Sequence, residues 1–140
     1  MALDLGEKRI GIAISDPTRT IASPFSVLNR RSRADDYAHY ARVAAEQQIN
    51  LLVIGLPITL SGDEGQRAAW VRDYAADLGR RIDIPIVFWD ESLTTVAATA
   101  ALHAQGRRGR KARERVDAVA AALILQSFLD AQPGGECDGE

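Results

Sequence analysis

Three carboxylate positions in this 140-residue chain stand where a carboxylate is costly. Asp4 interrupts the apolar opening run Met1-Ala2-Leu3-Asp4-Leu5-Gly6, Asp90-Glu91 closes the apolar run Ile84 to Trp89, and Asp117 lies inside the apolar pattern Val116 to Leu129. An unpaired charge taken out of water is expensive or shifts its pKa, and Asp is in any case a poor strand former. A metal ion, or a basic group placed to meet the acid, resolves the conflict. Three such carboxylates read as a site for hard divalent cations, Mg²⁺ or Mn²⁺, which take carboxylate and water oxygens and leave positions for phosphate. Two such ions about 3.5–4 Å apart can stabilise both the attacking and the leaving oxygen of a phosphodiester displacement.

The three acids are not equivalent. At helical pitch Asp117 lines up with Ala121, Ile124 and Phe128, while Gln126 falls on the opposite side, where a solvated acid belongs. That orientation favours a buried-face ligand over an early-turn acid held by the helix dipole or by Arg113. Asp90 and Glu91 are neighbours at a strand end and point to opposite faces, so one of them reaches the site. Glu91 is the preferred ligand, with Asp90 in support or capping the next helix. Zinc is not indicated: His39 and His103 stand apart and Cys137 is alone. No Gly-x-Ser-x-Gly motif offers a serine nucleophile.

The elements that must position these groups alternate along the chain. Leu3 to Leu5 and Ile10 to Ser15 read as strands around a tight turn at Gly6, with Asp16-Pro17 ending the second. Ser23 to Asn29 reads as a third strand, with Pro24 confined to its start or to a sheet edge. Ser32 followed by Asp35 resembles a capping box opening a helix from Arg33 to Gln48. Leu51 to Leu56, ended by Pro57, has the continuous apolar character of a strand buried on both faces. Val71, Tyr74, Ala75 and Leu78 mark one face of a second helix, and Ile84 to Trp89 is the next strand. Ser92 or Thr94 could cap a short helix stopping at Gly106, and Val116 to Leu129 is a strongly apolar final helix. The sequence predicts an α/β sandwich with a mixed sheet, its ligands gathering beyond the carboxyl ends of the strands. Gly55, lacking a side chain, leaves room there for backbone or substrate.

The length suits one domain over residues 1–132, followed by a disordered acidic tail over 133–140. No apolar run spans a bilayer, no secretory signal is visible, and one cysteine fits a reducing compartment, so the expectation is a cytoplasmic protein without a membrane partner. A net charge of −2 speaks against a nucleic-acid partner, but its distribution does not. Arg107, Arg108, Arg110, Lys111, Arg113 and Arg115 form one basic stretch and Lys8 with Arg9 a second, each able to meet a polyanion or simply to be solvated.

Four segments in order resemble the YqgF family, also called RuvX, of the ribonuclease H-like superfamily. They are Leu3-Asp4-Leu5-Gly6-Glu7-Lys8-Arg9-Ile10-Gly11, continued by Ser15-Asp16-Pro17; Val53-Ile54-Gly55-Leu56-Pro57; Asp90-Glu91-Ser92-Leu93-Thr94-Thr95; and Val116-Asp117-Ala118-Val119-Ala120-Ala121. The resemblance runs from Leu3 to about Leu129. It implies a ribonuclease H-like fold, a central five-stranded mixed sheet flanked by helices on both faces, with Asp4, Glu91 and Asp117 as the catalytic metal-binding set. Gly6, Gly55, Thr94 and Thr95 would support that set. It further implies hydrolysis of structured nucleic acid with Mg²⁺ or Mn²⁺, two ions with substrate bound, aligning a water. Family members are described as nucleases that mature the 5′ end of precursor 16S ribosomal RNA and as Holliday-junction resolvases. The basic groups would then contact phosphates without reading bases. A resolvase cuts two strands symmetrically and so calls for a two-fold homodimer; an RNA trimmer does not. Two other readings compete. Asp4-Leu5-Gly6 also resembles the first phosphate loop of actin- and sugar-kinase-like ATPases, but this chain is too short for their second domain. A non-catalytic ribosome-assembly protein could keep the fold, against which the intact acidic trio argues.

Overall fold

The tight turn at Gly6 sets the first strand pair, β1 (Ala2–Leu5) and β2 (Arg9–Ser15). Gly6 N–H donates to Arg9 O at 2.9 Å, and a Cβ on Gly6 would lie 2.5 Å from that same oxygen, so only glycine closes the turn. The computed structural model describes residues 1–57, 65–90 and 110–132. Its elements continue with β3 (Ala22–Asn29), α1 (Arg33–Glu46), β4 (Leu52–Leu56), α2 (Gln66–Gly79), β5 (Ile86–Asp90) and α3 (Arg110–Asp130). The predicted tail over 133–140 lies outside the described residues.

The five strands form one mixed sheet in the order β3-β2-β1-β4-β5. β1 pairs antiparallel with β2 and parallel with β4, β2 pairs antiparallel with β3, and β4 pairs parallel with β5. The central, parallel part is apolar on both faces; all five residues of β4 are buried. β3 lies at the edge, where Pro24 removes no needed donor, and the ladder slips by one residue at Ile12/Ala13 opposite it.

Side-chain alternation assigns each strand two faces. Leu3, Leu5, Ile10, Ile12, Leu52 and Ile54 pack with α1 and α2. Ala2, Ala13 and Val53 pack with Ala121, Ala122, Ile124 and Leu125 of α3. Helices therefore cover both faces of a five-stranded mixed sheet, as the family resemblance implies. The expected α2 stripe of Val71, Tyr74, Ala75 and Leu78 is buried throughout.

Boundaries moved where local chemistry overrides pattern. Ser32 Oγ accepts from Asp35 N–H at 3.1 Å and caps α1 as expected, but the helix ends at Glu46 because Gln48 turns left-handed, with φ 56°. β5 begins at Ile86 rather than Ile84, since Pro85 has no N–H to give the ladder. α3 is already helical at Arg110, the first described residue of its segment and six residues before the apolar run, as suits Arg, Lys, Ala and Glu, which are good helix formers.

One buried acid was not foreseen. Asp36 is 1% exposed on the α1–α2 face, accepting from Tyr74 Oη at 3.1 Å and from Arg31 N–H at 3.1 Å. Tyr40 and Tyr74 hydroxyls meet at 2.9 Å beside it. Burial raises the pKa of both phenols, so they stay neutral and the network remains paired. Asp36 thus belongs to the core and not to a ligand site.

Candidate active site

Strand alternation brings the candidate groups together. Asp4 on β1 shares the face of Ala2, and its partner across the antiparallel ladder is Gly11. Arg9, Gly11 and Ala13 of β2 alternate onto that same face, as do Val53 and Gly55 of β4. This is the face covered by α3. At Gly11 the helix comes so close that a Cβ would stand 2.4 Å from the carbonyl carbon of Asp117 and 3.1 Å from Ala118 N. Gly11 therefore lies between the two acids: it is paired with Asp4 in the sheet and packed on the backbone of Asp117. Missing side chain at that point is what lets the second acid approach the first.

Asp117 is partly exposed and its Oδ2 accepts from Arg9 Nε at 2.6 Å, an ion pair whose side chains are 24% and 31% exposed. Of the alternatives for Asp117, a basic partner is thus present, but it is Arg9 from the strand. Asp117 also continues the buried line of Ala121 and Ile124, both fully buried. Gln126, on the other side of the helix, is not simply solvated: its side chain accepts from Ala22 N–H at 2.9 Å and donates to Thr20 O at 3.0 Å, tying α3 to the start of β3.

Asp90 falls in β5 with Ile86 and Phe88, which pack on the α1–α2 core, and it pairs with Leu56. That alternation assigns it to the face away from Asp4 and Asp117. Asp16 closes its own loop, accepting from Thr20 N–H at 2.8 Å, Ile21 N–H at 3.0 Å and the Thr18 hydroxyl. Those bonds, the Thr18 one foremost, hold its carboxyl below the usual range. Glu91, Thr94, Thr95, Arg107 and Arg108 lie outside the described residues. Arg110, Lys111, Arg113 and Arg115 occupy the first turns of α3, on the side of Asp117 toward the helix start.

Gly6, Glu7, Lys8, Arg9, Arg67 and Asp117 line a pocket of about 490 Å³ at the carboxyl end of β1. Sequence reasoning missed two arginines here. Arg67, in the first turn of α2, donates from Nη2 to Leu5 O at 2.5 Å. Arg30 donates from Nη1 to Gly6 O at 3.1 Å and to Glu7 O at 3.0 Å, and its guanidinium lies 4.4 Å over the Trp70 ring. Arg30 thereby fixes the carbonyls of the turn that carries Lys8. Arg67 stands in no run of basic residues; Arg30 opens the short run Arg30-Arg31-Ser32-Arg33, but nothing in that spacing points to the Gly6 turn.

The strand order and the parallel centre with its antiparallel hairpin give this chain a ribonuclease H-like fold. In fold the chain is similar to Thermus thermophilus RuvC in complex with a Holliday junction substrate, with a TM-score of 0.55 over 92% of this chain and 94% of that one, at 12% identity. A family model, RuvX, described as Holliday junction resolvase, matches residues 1–131. The chain is 45% identical over 132 residues to the "Putative pre-16S rRNA nuclease" of Roseiflexus sp. (strain RS-1), covering 94% of each chain. It is 46% identical over 135 residues to the protein of the same name in Paramagnetospirillum magneticum (strain ATCC 700264 / AMB-1), covering 96% of this chain and 86% of that one. The chain belongs to the RuvX family.

Proposed function

We propose that this protein is a divalent-metal-dependent nuclease, a cytoplasmic hydrolase of phosphodiester bonds in structured nucleic acid, and that its substrate is the 5′ end of precursor 16S ribosomal RNA. The observation that carries the reading is the convergence of Asp4 and Asp117 about Gly11 beside a basic pocket. The names of its relatives support the RNA substrate. Among the described residues no three acids or histidines gather into one metal-binding group. Two carboxylates on one face nonetheless fit Mg²⁺ or Mn²⁺, which commonly take one or two protein carboxylates and fill the shell with water and phosphate oxygen. Asp4 and Asp117 would hold the ion, and Glu91 would complete the set. When bound, the metal supplies the positive charge that activates a water and offsets charge on the leaving oxygen.

The chain's own residues do the rest. Arg9 reaches Asp117 and stands at the pocket, so it can exchange the carboxylate for a substrate phosphate once the acid has another cation. Lys8, exposed at the turn, adds a phosphate contact, and Arg110, Lys111, Arg113 and Arg115 are proposed as further phosphate contacts on the strength of their charge. A second reading, resolution of four-way DNA junctions by a two-fold dimer, is favoured by the description of the matching family model and by the RuvC likeness. The test compares wild type with Asp4→Asn on a labelled precursor RNA and a labelled four-way junction, in Mg²⁺, Mn²⁺ or EDTA. Cutting by wild type alone, lost in EDTA, is expected, with RNA preferred. Preference for the junction selects the second reading, and binding without cutting in every metal refutes both.

A further inference from the structure

We infer that the pocket between the Gly6–Arg9 turn and the start of α2 is a phosphate subsite of the nucleic-acid track, and that Arg67 is its anchoring cation. This rests on the nucleic-acid reading above and adds a contact from an element that no basic run marks. Three separate elements aim cations at one pocket: Lys8 from the turn, Arg9 from β2 and Arg67 from α2. Glu7 and Asp117 share the lining, and Arg9 already answers Asp117, which leaves Lys8 and Arg67 against Glu7. The balance suits one singly charged phosphodiester oxygen pair.

Arg67 is placed for that task in a way a solvated arginine is not. One of its guanidinium N–H groups is fixed on Leu5 O at 2.5 Å, the carbonyl one residue beyond Asp4. The fork is thus held in register with the strand that carries the candidate ligand, and much of the freedom a long side chain loses on binding is already gone. A planar guanidinium held this way favours bidentate recognition of phosphate over a point contact. The turn opposite is equally fixed, because Arg30 holds Gly6 O and Glu7 O. A phosphate seated on Arg67 would therefore lie beside the Asp4–Asp117 face, where a neighbour of the bond being cut must lie.

The experiment measures binding in the non-cutting Asp4→Asn chain, using a fluorescent four-way DNA junction and a fluorescent RNA stem with a 5′ single-stranded extension, over a salt series. Arg67→Gln removes the charge and, being two bonds shorter, the reach to Leu5 O; Arg67→Lys retains the charge and removes the fork, so the salt slope separates a phosphate contact from a strut. We expect Arg67→Gln to weaken binding of the preferred probe about five- to tenfold and to lower the slope of log K against log salt by about one. Arg67→Lys should keep the slope and lose less affinity. Unchanged affinity and slope in Arg67→Gln overturn the inference, as does weaker binding with an unchanged slope, which marks a structural strut. Failure of the parent Asp4→Asn chain and of wild type to bind either probe at low salt overturns it too. Cleavage is scored separately in wild type: Arg67-dependent binding without any cutting keeps the subsite and refutes the nuclease.

Discussion

Gly11→Ala is the sharpest test of how the two acids are brought together. Its Cβ would meet three backbone atoms, the Asp117 carbonyl carbon at 2.4 Å and Ala118 N at 3.1 Å among them, and no rotamer can relieve a clash with main chain. Restoring ordinary contact requires α3 and β2 to part by about 1–1.5 Å, in an interior that is packed like a solid. Overpacking of this kind costs about 3 kcal/mol or somewhat more, which in a domain of this size lowers Tm by roughly 10 °C. The displacement falls on the backbone of Asp117 itself, while Asp4 stays in the sheet. A misplacement of about 1 Å between catalytic groups can cost on the order of a hundredfold in rate. Thermal unfolding and metal-dependent cleavage should be measured together, well below Tm, with Ile124→Ala as the control. Ile124 is fully buried on the same helix, and its truncation costs about 2–5 kcal/mol without touching the Gly11 contact. Gly11→Ala should lose far more activity than Ile124→Ala at matched fraction folded. Equal activities, or an unchanged Tm in Gly11→Ala, would refute the geometry.

Other outcomes follow from single contacts. Arg9→Met should strengthen Mn²⁺ binding to the free protein about two- to fivefold, the equivalent of a partly exposed ion pair of about 0.5–1 kcal/mol, because the cation no longer competes for Asp117. Weaker binding in a Mn²⁺ EPR titration would contradict that competition. Tyr74→Phe removes a donor from Asp36 and a partner from Tyr40, so it should cost about 1–3 kcal/mol in urea unfolding and leave cleavage below Tm unchanged. Burial, then the Arg42 cation, lowers the His39 pKa below 6.5 in the folded chain. The unfolded chain then takes up the proton first, so stability should be level well above pH 6.5 and fall as pH drops through 6.5 toward the folded value. His39→Gln should flatten that part of a Tm-versus-pH curve; an unaltered curve would show that His39 does not contribute.

The sheet was legible because its determinants are local. Period-two alternation, the Gly6 turn, the Ser32 cap and the Pro57 stop each act over a few residues, and they located all five strands. Strand order was barely legible: the edge position of β3 rested on Pro24 alone, and the place of β4 between β1 and β5 is set by long-range pairing that no local pattern encodes. At the site, the types of Asp4 and Asp117 were readable as charges in apolar surroundings. The Arg9–Asp117 pair spans 108 residues and has no local signature. Yet alternation within β2 places Arg9, Gly11 and Ala13 on one face, and a small-residue face opposite a helix rich in alanine is a signal of close packing that could have predicted it. Arg30 and Arg67 act through backbone carbonyls far along the chain, which no side-chain pattern encodes. Asp36 was hidden by ambiguity, since an acid in the first turn of a helix is ordinarily read as solvated.

The two tryptophans divide the molecule between them. Trp70 lies under the Arg30 guanidinium and 5.1 Å from the Tyr74 ring, so its emission depends on the α1–α2 core and on the turn that Arg30 restrains. Trp89 is on the other face, edge-on to Phe128 at 5.4 Å and bonded to the Ser127 hydroxyl at 3.0 Å, so its emission depends on the docking of α3. Two single-tryptophan variants would therefore give the protein a separate optical channel for each half of its sandwich. Stopped-flow fluorescence could then time the arrival of the helix carrying Asp117 independently of the formation of the core beneath Asp4.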